Sequence, residues 1–147
     1  MNTTTILRIA AVLAAVQGTA HTVLFLTAKP RHGAAEVAVI EAMKSNRFFA
    51  GATRSYWDFY FGYGLLAAAA CFVQAILFWQ LGKVAASHPT LVRPMVGLFV
   101  LANVGHALLI ARYFSLYVTI AFDLLIAACL AWAFVVAGKL TTLGLTQ

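Results

Sequence analysis

Four long apolar stretches constrain this chain more than any other feature. They occupy residues 6–28, 57–81, 92–111 and 114–137, and each is long enough to meet the ~20 residues that a membrane-spanning helix needs. The chain has 147 residues, of which 63% are hydrophobic and 10% are charged. A soluble domain averages ~45–50% apolar and ~25% charged residues. The composition is therefore that of a membrane protein.

The stretches are expected to be helices. Inside lipid the backbone must satisfy its own hydrogen bonds, and the alternating pattern of a membrane β-strand is absent. The third and fourth stretches almost touch, but one continuous helix would be about twice the ~30 Å thickness of the hydrocarbon layer. A turn is therefore predicted within residues 112–116. The sequence predicts an all-α fold, a four-helix transmembrane bundle, with residues 1–147 forming one integral membrane domain.

The long connection between the first two spans contains a fifth predicted helix, at residues 34–49. Its charged residues share one side and most of its apolar residues share the other, with Gly33 before it and Gly51 after it as breaks. This pattern indicates an interfacial amphipathic helix that lies over the mouth of the bundle. A plain connecting helix is the alternative.

Polar residues inside the spans locate a candidate site. His21 and His106 each lie about 10 Å from the same end of their spans, counting ~1.5 Å per residue. Gln17 and Asn103 are about one turn deeper on the same helix faces. Asp123 gives the strongest single signal, because a carboxylate near the middle of a bilayer costs ~2.5–3.5 kcal/mol and needs a partner or a proton.

The second and fourth spans add polar side chains on the same side of the membrane. Asp58 is expected to pair with Arg54 or Arg112 at the interface. The complete set of candidate ligand-binding residues is His21, His106, Asp123, Asn103, Gln17, Asp58, Tyr60, Tyr63, Arg54 and Arg112. None of them is assigned a catalytic role, and whether the protein is an enzyme stays open.

Three functions fit this polar layer. The first is a pocket for an amphipathic ligand, such as a quinone, a sterol or a lipid. The second is a hydrogen-bond network that only fixes helix register, in a non-enzymatic accessory subunit or assembly factor of a membrane complex. The third is a b-type haem with His21 and His106 as axial ligands, and no other metal site is predicted. Ion conduction is disfavoured, because the opposite half of the spans is almost entirely apolar.

The net charge of +6 arises from Lys and Arg at the ends of the spans. Such residues report orientation and attraction to anionic lipid headgroups, so nucleic acid is not implied. Four of them fall on the side of the termini and six on the other side, which favours termini outside. The expected partners are the lipid bilayer, a small amphipathic ligand, and a membrane protein or a second copy of this chain.

Two segments resemble a known family. Residues 54–65 read RSYWDFYFGYGL, and the first span carries the run Gly18-Thr19-Ala20-His21. With the four-span layout, they resemble the small bacterial membrane proteins loosely grouped as DoxX-like. The resemblance implies a compact four-helix bundle in a bacterial inner membrane. It also gives functional weight to His21 and to residues 54–64, but no catalytic assignment comes with it.

Overall fold

The protein is all-helical in the computed structural model, which describes residues 1–47, 49, 51 and 53–142, the last three as backbone only. Its helices are α1 (Thr3–Thr27), α2 (Ala34–Ser45), α3 (Tyr56–Val84), α4 (Pro89–Tyr113) and α5 (Tyr117–Thr142). Strand pairing in the described residues is limited to one isolated antiparallel bridge between Arg47 and Ser55. The predicted all-α fold is confirmed.

Four of these helices, α1, α3, α4 and α5, are long and apolar enough to cross a membrane. The chain is thus a multi-pass membrane protein by the length and composition of its helices. The first three spans begin one to three residues before the apolar stretches that predicted them. Helix α2 lies between the first two spans as expected, but it ends at Ser45 rather than at residue 49.

The link between α4 and α5 falls inside the predicted turn. The backbone N–H groups of Phe114 and Ser115 both donate to the carbonyl of Ile110, at 2.9 Å each. Ser115 has φ 52°, a left-handed conformation that commonly ends a helix. The next helix consequently begins at Tyr117, three residues later than the apolar pattern indicates.

The chain divides into two compact units. Unit 1 comprises Met1–Gln17 and Cys71–Gln147, and unit 2 comprises Gly18–Ala70. Helices α1 and α3 contribute one half to each unit.

Unit 1 is a four-helix bundle built from the first half of α1, the second half of α3, α4 and α5. Its core is closed by large apolar side chains that are almost fully buried, namely Ile6, Leu7, Phe78, Val92, Val96, Ile126 and Leu130. Alanines at contact positions of α1 and α5 let the helices approach closely. Phe78 meets Phe99 edge-on, with ring centroids 5.0 Å apart. This core fixes the positions of the polar side chains described next.

Candidate functional site

A buried carboxylate joins three helices of unit 1. Asp123 on α5 is 2% exposed. Its Oδ1 accepts a hydrogen bond from Nε2 of Gln17 on α1 at 2.8 Å, and its Oδ2 lies 2.8 Å from Nδ1 of His106 on α4. The structure therefore brings together three of the residues that the sequence singled out, and it supplies the partners that a carboxylate in an apolar bundle requires.

The histidine of this cluster faces outward. The side chain of His106 is 51% exposed, whereas that of Asp123 is 3% exposed. Because an ionised carboxylate only accepts hydrogen bonds, the ring nitrogen beside it carries the hydrogen. Nε2 is then an acceptor in the neutral ring and a donor in the charged ring. Among the described residues, Nε2 has no hydrogen-bond partner.

Open space lies beside His106. A Cβ placed at the preceding residue, Gly105, would meet no other atom within 4 Å. Two and three residues beyond His106 on the same helix, Leu108 and Leu109 are largely exposed. The ring therefore stands on a helix surface where Gly105 leaves room and where Leu109, about one turn further on, is an exposed apolar side chain.

Asn103 takes no part in this cluster through its amide donor. Although it is buried, its Nδ2 donates to the backbone carbonyl of Phe99, one turn earlier on α4, at 2.8 Å. The sequence predicts that Asn103 and His106 share one helix face, and both lie on α4. A spacing along the helix cannot reveal that the Asn103 amide bonds to its own helix rather than to Asp123.

His21 belongs to unit 2, where it joins the second half of α1 to the first half of α3. Its Nε2 donates to the backbone carbonyl of Gly64 at 3.0 Å, since a carbonyl can only accept. The ring stacks on Phe25, with centroids 5.8 Å apart and planes 6° from parallel. Gly64 permits this contact, because a Cβ there would overlap the Phe25 ring.

Aromatic side chains of α3 continue this arrangement. Phe25 contacts Tyr60 and Phe61, and Trp57 packs on both of these. Lys44 of α2 lies over the Trp57 ring, 5.6 Å from its centroid. The candidate Tyr60 therefore packs within an aromatic cluster, and the candidate Tyr63 is exposed.

Asp58 has a structural role that the sequence analysis missed. Its Oδ2 accepts from the backbone N–H of Ser55 at 2.8 Å and from the Ser55 hydroxyl at 3.0 Å. The backbone N–H of Asp58 donates in return to the Ser55 hydroxyl at 3.2 Å. This reciprocal pair is a capping box at the start of α3. The signal was present as Ser-x-x-Asp before an apolar run, whereas the expected pairing was with Arg54 or Arg112.

The two candidate arginines lie in different surroundings. Arg112 places its guanidinium over the ring of its neighbour Tyr113, 5.3 Å from the centroid. Arg54 lines a cleft of about 520 Å³ in unit 2, together with Phe49, Thr53, Ser55, Asp58, Phe59, Phe61 and Gly62. A second cleft, of about 540 Å³, opens on unit 1. Neither cleft is lined by His21 or His106.

Metal-ligating residues do not gather in the described part of the chain, where no three His, Cys, Asp or Glu side chains stand close enough to hold an ion. Comparison with protein-family models, with curated proteins and with solved structures finds no match to this chain.

Proposed function

We propose that this membrane protein binds an amphipathic small molecule through His106, with Asp123 and Gln17 holding the imidazole in place. One observation carries the proposal: a fully buried carboxylate orients a ring whose other nitrogen is outward-facing and unbonded. A carboxylate behind an imidazole fixes which nitrogen carries the hydrogen and how the ring points. That is the arrangement required of a histidine that meets a ligand.

A network that only fixes helix register explains the site less well. Such a network gains by satisfying all its polar groups inside the bundle. Gln17 and Asp123 do so, but His106 exposes half of its side chain. Burying the Asp123 carboxylate costs free energy, and one of the two hydrogen bonds that offset this cost comes from the His106 ring, which stays accessible.

The surroundings select the class of ligand. A molecule at His106 would contact apolar side chains, and it would offer the ring one hydrogen-bonding group. A quinone carbonyl would accept from the charged ring, and a sterol or lipid hydroxyl would donate to the neutral ring. The bacterial inner membrane implied by the resemblance to DoxX-like proteins is the proposed location.

The test is to extract bound small molecules from protein purified in mild detergent and to quantify them by mass spectrometry. We expect His106→Leu to retain at least tenfold less of the bound amphiphile and Asp123→Asn to retain an intermediate amount. His88→Leu is the matched control, because His88 lies at the N-terminus of α4 and outside the cluster. Each variant should elute as a monodisperse peak. Equal retention by wild type and His106→Leu would refute the proposal.

A b-type haem is the second candidate, and His106 favours it. Axial histidines ligate iron through one nitrogen and donate the other N–H to a carboxylate or carbonyl. His21 fits less well, because its Nε2 already donates to Gly64 and ligation would require Nδ1 or loss of that bond. Oxidised and dithionite-reduced absorption spectra distinguish a haem from the amphipathic ligand proposed above. A Soret band that disappears in His106→Ala would establish haem at this histidine, and a spectrum without one from haem-replete cells would exclude it.

A further inference from the structure

The second cleft is an apolar groove on unit 1 between α1 and α3. Its α3 side is formed by one helix face, at positions 72, 75, 76, 79, 80 and 83, and its α1 side by Ala11, Val12 and Ala15. The alanines form a low floor, and the larger side chains form walls that are exposed, Val12 at 55% and Ile76 at 60%. The groove is therefore open along its length to whatever surrounds the bundle.

Two basic side chains mark one end of this groove. Lys83 is part of its lining. The Arg8 guanidinium lies over the ring of Trp79, another lining residue, 5.2 Å from the ring centroid. Helices α1 and α3 are close here, since a Cβ on Gly82 would make an ordinary van der Waals contact, at 3.4 Å, with the backbone oxygen of Thr4.

No acidic side chain balances these charges. The chain's four acidic residues are Glu36, Glu41, Asp58 and Asp123, and of these only Asp123 belongs to unit 1. Its two oxygens already bond Gln17 and His106. Within the described residues, no ion pair joins Arg8 or Lys83 to a carboxylate. This end of the groove is suited to an anion from outside the chain.

The length of the groove matches one membrane leaflet. Lys83 lies eleven residues beyond Phe72 on α3, a rise of about 16 Å at ~1.5 Å per residue. That is about half of the ~30 Å hydrocarbon thickness. Trp79 lies toward the basic end, as expected for a residue near the level of the headgroups.

We propose that this groove binds an anionic phospholipid, with one acyl chain against the α1–α3 surface and the headgroup phosphate held by Arg8 and Lys83. The site is distinct from His106 and does not depend on the function proposed for it. The apolar walls supply contact with the acyl chain, and the two unpaired cations supply preference for an anionic over a zwitterionic headgroup.

Trp79 provides a direct probe of this site. In a protein that keeps only this tryptophan (Trp57→Phe and Trp132→Phe), bromine atoms on an acyl chain in the groove would quench its fluorescence. The protein is reconstituted into phosphatidylcholine nanodiscs containing increasing fractions of acyl-brominated phosphatidylglycerol, or of acyl-brominated phosphatidylcholine as the comparison. We expect half-maximal quenching at a fraction of the anionic lipid that is lower by about fivefold or more, because each of the two basic residues near the headgroup contributes up to about fivefold.

Substitutions then show which residues cause the preference for the anionic lipid. Lys83→Gln and Arg8→Gln should each reduce it, and Lys83→Arg should keep it. Arg93→Gln is the matched control, because it removes the same charge from a residue packed on Phe134 and Gly138 outside the groove. Equal quenching by the two lipids would overturn the proposal. So would a preference that Arg93→Gln abolishes as fully as Lys83→Gln, since that indicates general surface attraction.

Discussion

At the scale of single residues, the hydrogen bonds of Asp123 offset the free energy cost of burying its carboxylate and orient the His106 ring. Both of its oxygens are engaged, one by Gln17 and one by His106. Removing one partner from a buried polar pair leaves the other unsatisfied, at a cost of about 1–3 kcal/mol. Replacing both members of the pair, Gln17 and Asp123, by apolar side chains leaves neither group unsatisfied and avoids that cost.

A double-mutant cycle on Gln17 and Asp123 measures the coupling free energy of their hydrogen bond. We expect Gln17→Leu and Asp123→Leu each to lower the free energy of unfolding, and the double variant to be more stable than the sum of the two effects by about 1–3 kcal/mol. The measurement is reversible denaturant unfolding in detergent micelles. Additive effects would show that the bond contributes no coupling. Ile9→Ala at an exposed position of α1 serves as a control that should be additive with Asp123→Leu.

Two glycines of α3 offer a second matched pair. A Cβ at Gly64 would overlap the Phe25 ring, whereas a Cβ at Gly62 would meet nothing within 4 Å. Gly64→Ala should displace Phe25 from His21 and lower stability by about 1–3 kcal/mol. Gly62→Ala should raise stability by up to about 1 kcal/mol, because alanine is the better helix former. Thermal unfolding monitored by circular dichroism compares them, and equal shifts of the midpoint would contradict the packing argument.

The residues of the candidate site were predictable by depth but not by contact. Position along a helix places His106, Gln17 and Asp123 at similar levels, and the structure brings those three together. The rotation of one helix about its axis relative to another is set by packing, which no single sequence pattern contains. For this reason the Asn103 amide bond to Phe99 and the His21 bond to Gly64 were not foreseen.

At the scale of elements, apolar length predicted the four spans and local chemistry set their ends. The start of α3 at Tyr56 follows from the Ser55–Asp58 capping box, and the late start of α5 follows from the left-handed Ser115. The predicted end of α2 at residue 49 was wrong because Asn46 leaves the helix with extended backbone angles. The apolar pattern shows which residues lie in a span, but it does not contain the capping interactions and backbone angles that begin or end a helix. It therefore cannot locate helix ends to within a few residues.

The first turn of α2 depends on pH through Glu36. The backbone N–H groups of His32 and Arg31 donate to its carboxylate, at 2.7 Å and 2.6 Å, and these bonds lower the pKa of Glu36 from its ordinary value of 4.5. A carboxyl with a lowered folded pKa stabilises the fold above its unfolded pKa. This contribution is lost as the pH falls through the folded pKa, so the change should occur below 4.5.

Amide chemical shifts in micelles measure this transition. We expect the N–H resonance of His32 to titrate below pH 4.5 together with that of Arg31. Glu36→Gln should abolish the transition, because the amide oxygen it introduces does not ionise. Glu41→Gln is the control, since Glu41 instead receives a bond from Lys44. An inflection above pH 4.5 at both amides would contradict the assignment of these bonds.

At the scale of the whole molecule, four spans place successive connections on alternating sides of the membrane. The side on which each connection lies can be measured by introducing cysteines one at a time in a Cys71→Ala and Cys129→Ala background and labelling them with a membrane-impermeant maleimide. We expect Arg31→Cys and Ser115→Cys to react from one side and Ser87→Cys from the other. Because four basic residues lie toward the termini and six toward the opposite side, Ser87→Cys should be the one labelled from outside. Labelling of Arg31→Cys and Ser115→Cys from opposite sides would mean that one apolar helix between them does not cross, and the shared depth of His106 and Asp123 would then need another explanation.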